Sequence, residues 1–139
     1  MANKIKAVFD TNIYISAIIF GGNPRQCLEL ARTREIELFS SKAILLELSK
    51  KLQVKFKWDR EEIEEVIEGL AYFIKLVEPK TKINLIKDNP DNRILEAAGE
   101  ARADYIISGD KKHILSLKKF KNIQIFSAKE FLDTFFRKN

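Results

Sequence analysis

Four acids stand out by their positions in the sequence pattern: Asp10, Glu47, Asp91 and Asp110. Asp10 closes a short apolar run at residues 5–9 (IKAVF) and is followed by Thr11 and Asn12. Asp110 comes after a second apolar run, residues 105–108 (YIIS), with Gly109 between. Asp91 lies in Asp88-Asn89-Pro90-Asp91-Asn92, and Glu47 in Leu46-Glu47-Leu48. Each has an ordinary structural role open to it. Asp10 and Asp110 could cap helices, Asp91 could face a helix dipole, and Glu47 could pair with Lys51 one turn on. Their joint chemistry is different. Carboxylates gathered in one cleft raise each other's pKa unless a cation neutralises them. All-oxygen donors select Mg²⁺ or Mn²⁺, ions that suit phosphodiester hydrolysis.

The elements that must position these acids alternate. Residues 5–9 and 36–40 read as strands, with a helix between them that starts near Thr11, loosens at Gly21-Gly22-Asn23-Pro24 and resumes through Cys27, Leu28 and Ala31. Ser41 caps a helix carrying Ile44, Leu45, Leu48 and Leu52. Asp59 opens a long amphipathic helix in which Ile63, Val66, Ile67, Leu70, Ile74 and Val77 recur at helical spacing, and a weaker strand is expected at residues 76–78. Pro90 marks a helix start that runs to about Arg102. A strand at 105–108, a helix to about Lys118, a strand at 123–126 and a terminal helix capped by Ser127, with Phe131, Leu132 and Phe135, complete the chain. Strands alternating with helices predict one three-layer α/β/α domain over residues 1–139, with a central parallel sheet of four to five strands. In such sheets, sites form beyond the carboxyl ends of the strands, where strand order reverses. Asp10 and Asp110 fall there directly. Asp91 joins them if its helix begins on the same side, and Glu47 sits about two turns into the helix after the second strand.

Composition bounds the function. The chain of 139 residues is 45% hydrophobic, enough for a real core. One cysteine, Cys27, excludes an internal disulfide framework, and with one histidine no zinc-type ligand set exists. An acid arrives too early for a leader segment and the apolar run at 13–20 is too short to span a bilayer, so we expect a cytoplasmic protein without membrane contact. The formal net charge is +5; setting the four acids aside leaves 25 basic against 16 acidic residues, a body able to attract a phosphate backbone. Arg25, Lys111, Lys112 and His113 are the candidate substrate-binding residues.

Other α/β chemistries lack their residues. Asp10-Thr11-Asn12 stands where a dinucleotide site needs Gly-x-Gly-x-x-Gly, and no Gly-Lys-Ser/Thr phosphate loop exists. An aspartyl-phosphate phosphatase needs a second aspartate at position 12, which is Asn12.

Phe9-Asp10-Thr11-Asn12, Leu46-Glu47-Leu48, Asp91 followed by Ile94-Leu95-Glu96-Ala97-Ala98, and Ser108-Gly109-Asp110 together resemble the motifs of PIN-domain nucleases, particularly the VapC-like toxins of prokaryotic toxin–antitoxin pairs. No single motif is very specific; four in register across essentially the whole chain are. The resemblance implies strand order 3-2-1-4-5, Mg²⁺ or Mn²⁺ dependence, endonucleolytic RNA cleavage, a homodimer and a cognate antitoxin. By it, Asp10, Glu47, Asp91 and Asp110 hold the metal while Thr11, Asn12 and Ser108 orient them. The chain departs from many relatives at Lys112, where a further acid is common; this puts a fully occupied second metal in question, with Asp88 as a substitute ligand.

Overall fold

The computed structural model describes residues 3–86, 89–110 and 114–138. Among them the order is β1 (Lys6–Phe9), α1 (Thr11–Ile15), a π-helical turn (Ser16–Phe20), α2 (Gly22–Arg32), β2 (Glu37–Ser40), α3 (Lys42–Val54), α4 (Arg60–Ala71), β3 (Ile74–Leu76), α5 (Asn92–Ala101), β4 (Tyr105–Ile107), α6 (Ile114–Leu117), β5 (Lys119–Phe120), β6 (Ile123–Phe126) and α7 (Ala128–Lys138). One sheet runs β3-β2-β1-β4-β6-β5. It has six strands rather than the four to five expected. Five are parallel; the extra one, β5, pairs antiparallel with the end of β6. At two residues β5 is too short to show a period in sequence. It is made by the tertiary edge, with Lys118 and Lys121 at left-handed φ of 62° and 55° turning the chain around it.

The central strands are apolar because both faces of the sheet are covered: Ala7, Val8, Phe9, Ile106 and Ile107 are all inaccessible. Parallel crossovers are right-handed, so the helices met while the chain steps outward from β1 to β3 lie on one face. The helix α5, which returns the chain across β1 to β4, lies on the other and packs against β1 and β2. The α7 helix packs on α2 and β6, burying Phe131, Leu132 and Phe135 as its spacing predicts.

Two expected boundaries are corrected. The helix after Asp59 stops at Ala71, and Ile74 belongs to β3, paired with Leu38. Helical spacing had assigned Ile74 to α4 and placed the strand at 76–78; pairing with β2 draws the chain into extended form two residues earlier. The segment after Asp10 is also not one loosened α-helix. Its second part is a π turn in which Gly21 N–H donates to Ser16 O at 2.8 Å, and Gly21 then takes φ 86°, ψ −136°, a conformation open to glycine. Among the described residues no helix is long and apolar enough to cross a membrane.

Candidate active site

The strand order reverses at β1, whose neighbours are β2 on one side and β4 on the other. Phe9 is in register with Ile107, and the ladder continues as Asp10 N–H donates to Ile107 O at 3.1 Å. The next residues on the two strands therefore emerge side by side: Asp10-Thr11-Asn12 and Ser108-Gly109-Asp110.

Asp10 is 1% exposed, and both of its oxygens are engaged. Oδ1 accepts from Ile13 N–H at 2.9 Å, so the acid does cap α1. Oδ2 accepts from Ser108 Oγ at 2.5 Å and from Gly109 N–H at 3.1 Å. Ser108 Oγ in turn accepts from Asp110 N–H at 2.9 Å, so one hydroxyl ties the first acid to the backbone of the fourth. Burial raises the Asp10 pKa in spite of these donors, and the Asp110 charge adds to the rise.

Asp110 borders a cleft of about 330 Å³ with Thr11, Asn12, Glu47 and Asp91. Its walls are α3 and the start of α5. Asp91 is the N-cap residue of α5, but its side chain makes no capping bond. Its carboxyl instead lies within hydrogen-bonding reach of Asp110. Burial, that contact and the charges of Asp110 and Asp10 push the Asp91 pKa to about 7, against the pull of Lys51. An acid whose pKa is pushed toward neutrality by a neighbouring acid marks a place short of positive charge.

Glu47 shares this cleft from α3, half-buried beside the fully buried Ile44 and Leu48. The structure thus brings Asp91 and Asp110 into contact with Asp10 beside them, and sets Glu47 in the wall. Among the described residues no three acid, histidine or cysteine side chains stand close enough to enclose an ion as placed. The donor set nevertheless fits a hard divalent cation. Every acid in the cleft offers oxygen, one pair is already crowded, and Mg²⁺ is commonly held by one or two carboxylates with water completing its shell.

Of the other expected residues, Thr11 and Asn12 line the cleft, and Ser108 makes the bridge described. Arg25 is placed elsewhere: its guanidinium donates to the carbonyls of Ala17 and Ile18, at 2.8 and 3.2 Å, and so satisfies acceptors in the π turn. Lys111, Lys112, His113 and Asp88 lie outside the described residues.

Sequence reading missed two participants. Helix spacing suggests Lys51 only as a surface partner for Glu47, yet it lines the cleft and its Nζ donates to Thr11 Oγ1 at 3.0 Å. The signal was available, since residues four apart on a helix share a face. Asn92, 1% exposed, accepts from Ile86 N–H at 2.9 Å and donates to the carbonyls of Ile86 and Asn89. It thereby fixes the approach to Asp91, a role that its place next to an acid does not reveal.

The PIN-domain family model matches residues 6–112, the span that carries all four acids. The chain belongs to the PIN-domain family. That family is one of nucleases. An uncharacterized protein of Methanocaldococcus jannaschii is 34% identical to this PIN protein, over 95% of this chain and 92% of the relative. Among solved structures, VapBC2 from Rickettsia felis, bound to a DNA fragment from its promoter, superposes with a TM-score of 0.62 at 19% identity, covering 87% of this chain and 97% of that one. DNA-bound VapBC from Salmonella typhimurium gives the same TM-score at 16% identity, covering 89% and 98%. This chain shares its fold with both solved structures.

Proposed function

We propose that this PIN protein is a divalent-metal-dependent endoribonuclease, the toxin component of a toxin–antitoxin pair, acting in the cytoplasm as a homodimer. The observation that carries the nuclease reading is the contact between Asp91 and Asp110 beside Asp10, in a cleft whose acids offer only oxygen. The toxin reading is supported by the four motifs in register and by the likeness of fold to the two VapBC structures.

In this reading Asp10, Glu47, Asp91 and Asp110 hold Mg²⁺ or Mn²⁺, which when bound supplies Lewis-acid polarisation of the phosphate and a lowered pKa for attacking water. The chain's own residues supply the geometry. Ser108 and the Gly109 amide hold Asp10 in one orientation, and the same hydroxyl anchors the Asp110 backbone. Asn92 fixes the turn that presents Asp91. Asp91, whose pKa the crowding raises, would have to be deprotonated to serve as a ligand there. The cognate antitoxin is the partner that would hold this activity in check.

Wild-type protein and Asp10→Asn, incubated with a mixed RNA pool and Mn²⁺, test the reading. Cleavage by wild type and its loss in the folded variant are expected. Equal cleavage by both, or none by wild type with any divalent ion, overturns it; RNA binding without cleavage would identify a non-catalytic PIN module instead.

A further inference from the structure

We infer that Lys51 is the phosphate-binding cation of this cleft, its ammonium receiving a non-bridging oxygen of the RNA backbone beside Thr11. The inference rests on the nuclease reading above and adds to it a residue that contacts substrate.

An acid-lined cleft has an electrostatic difficulty with its own substrate. Every phosphodiester carries a negative charge, and it must approach side chains of the same sign in a half-buried place where screening is weak. Ions bound by the acids would offset part of this repulsion, and a fixed cation in the cleft wall offsets more.

Lys51 stands where such a cation is needed. It lies on α3 one turn after Glu47, and its Nζ reaches the end of β1, 3.0 Å from the hydroxyl of the residue that follows Asp10. It is near enough to Asp91 for its charge to act there. Among the described residues no ion pair joins it to Glu47, the partner that helix spacing suggests. An ammonium has three N–H donors, and Thr11 accepts one. The other cation described in the cleft wall, Arg93, already meets an acid: its Nη2 donates to Glu96 at 2.8 Å and to the Ile83 carbonyl at 3.2 Å, although its buried Nε has no partner. Lys51 is also half-buried, so its stem is held by packing and less rotamer freedom is lost when a ligand arrives.

Binding of a labelled single-stranded RNA, with Ca²⁺ replacing Mg²⁺, is measured against salt for wild type, Lys51→Met, Lys51→Arg and Thr11→Val, alongside Mn²⁺-dependent cleavage. Lys51→Met keeps the stem and removes the charge. If Lys51 binds a phosphate, its slope of log affinity against log salt is shallower by about 0.7, the value of one phosphate contact on a single strand. Lys51→Arg keeps the slope, Thr11→Val keeps it too, and kcat/KM falls on the order of 100-fold in Lys51→Met. If Lys51→Met and Thr11→Val lose cleavage equally with unchanged slopes, Lys51 only positions Thr11 and the inference fails. It fails equally if wild type does not bind RNA. A wild type that binds RNA but never cleaves it sinks the nuclease reading alone; the slope comparison still decides for or against Lys51.

Discussion

The two edges of the sheet treat charge in opposite ways. At the amino ends of the strands, Glu37 meets Lys75 at 2.6 Å, and that contact holds its carboxyl below the usual range, helped by Lys6 and Lys4. Nearby, Asp104 accepts from Lys6 N–H at 2.9 Å. These acids are matched by donors and cations, as the surface of any stable domain allows. At the carboxyl ends, Asp91 meets Asp110, like against like, and its pKa rises to about 7. A fold keeps such a mismatch only where something else pays for it, and an ion or substrate that arrives later is the usual reason. The same residue type therefore reports structure at one edge and a candidate function at the other.

The contrast breaks most visibly at Asp91. Because its folded pKa of about 7 lies above the ordinary 3.8, the folded chain keeps a proton that the unfolded chain has lost between those values. Stability of the metal-free protein is then greatest at low pH within this window and falls as pH rises from about 4 to about 7. Thermal melts should show that fall, and Mg²⁺ added at pH 8 should reverse it. Asp91→Asn should flatten the dependence and raise the metal-free Tm at pH 8, while cutting Mn²⁺-dependent cleavage on the order of 1,000-fold. A lower Tm at pH 8 in that variant would show that repulsion is not stored there.

A smaller effect is expected at Ser108, which links Asp10 to Asp110. Ser108→Ala removes one of three donors to a buried carboxylate and should cost about 1–3 kcal/mol in urea unfolding. Cleavage should fall by roughly 10- to 100-fold, the usual range for a group that orients a metal-holding carboxylate. Loss of stability with full activity would mean that the bridge serves folding alone.

The smallest effect belongs to the opposite edge. Glu37→Gln removes an ion pair whose lysine is 56% exposed, so melts should shift by less than about 1 kcal/mol, and cleavage should be unchanged. A large loss of activity there would erase the distinction between the two edges.

The elements themselves were legible because local rules agreed with the fold. Apolar runs ending in Asp10 and Ser108 became β1 and β4, Ser41 and Asp59 capped α3 and α4, and Pro90 preceded α5. The errors fell where pairing overrode local pattern: Ile74 fits a helical face and a strand equally well, and β5 exists only because β6 offers an edge. The carbonyl partners of Arg25 were not legible for a related reason, since they arise from a π turn that spacing does not announce.

The sequence by itself determined which acids the chain owns, that two of them close neighbouring kinds of apolar run, and that no cysteine or histidine set competes with them as ligands. Only the tertiary structure decided that β1 and β4 are adjacent, that Ser108 grips Asp10, that Asp91 touches Asp110 and that Lys51 turns inward to Thr11. Contacts between residues as far apart as Thr11 and Lys51, 40 positions, or Asp10 and Ser108, 98 positions, depend on strand order and helix packing, and a one-dimensional pattern of polar and apolar residues carries no direct record of either.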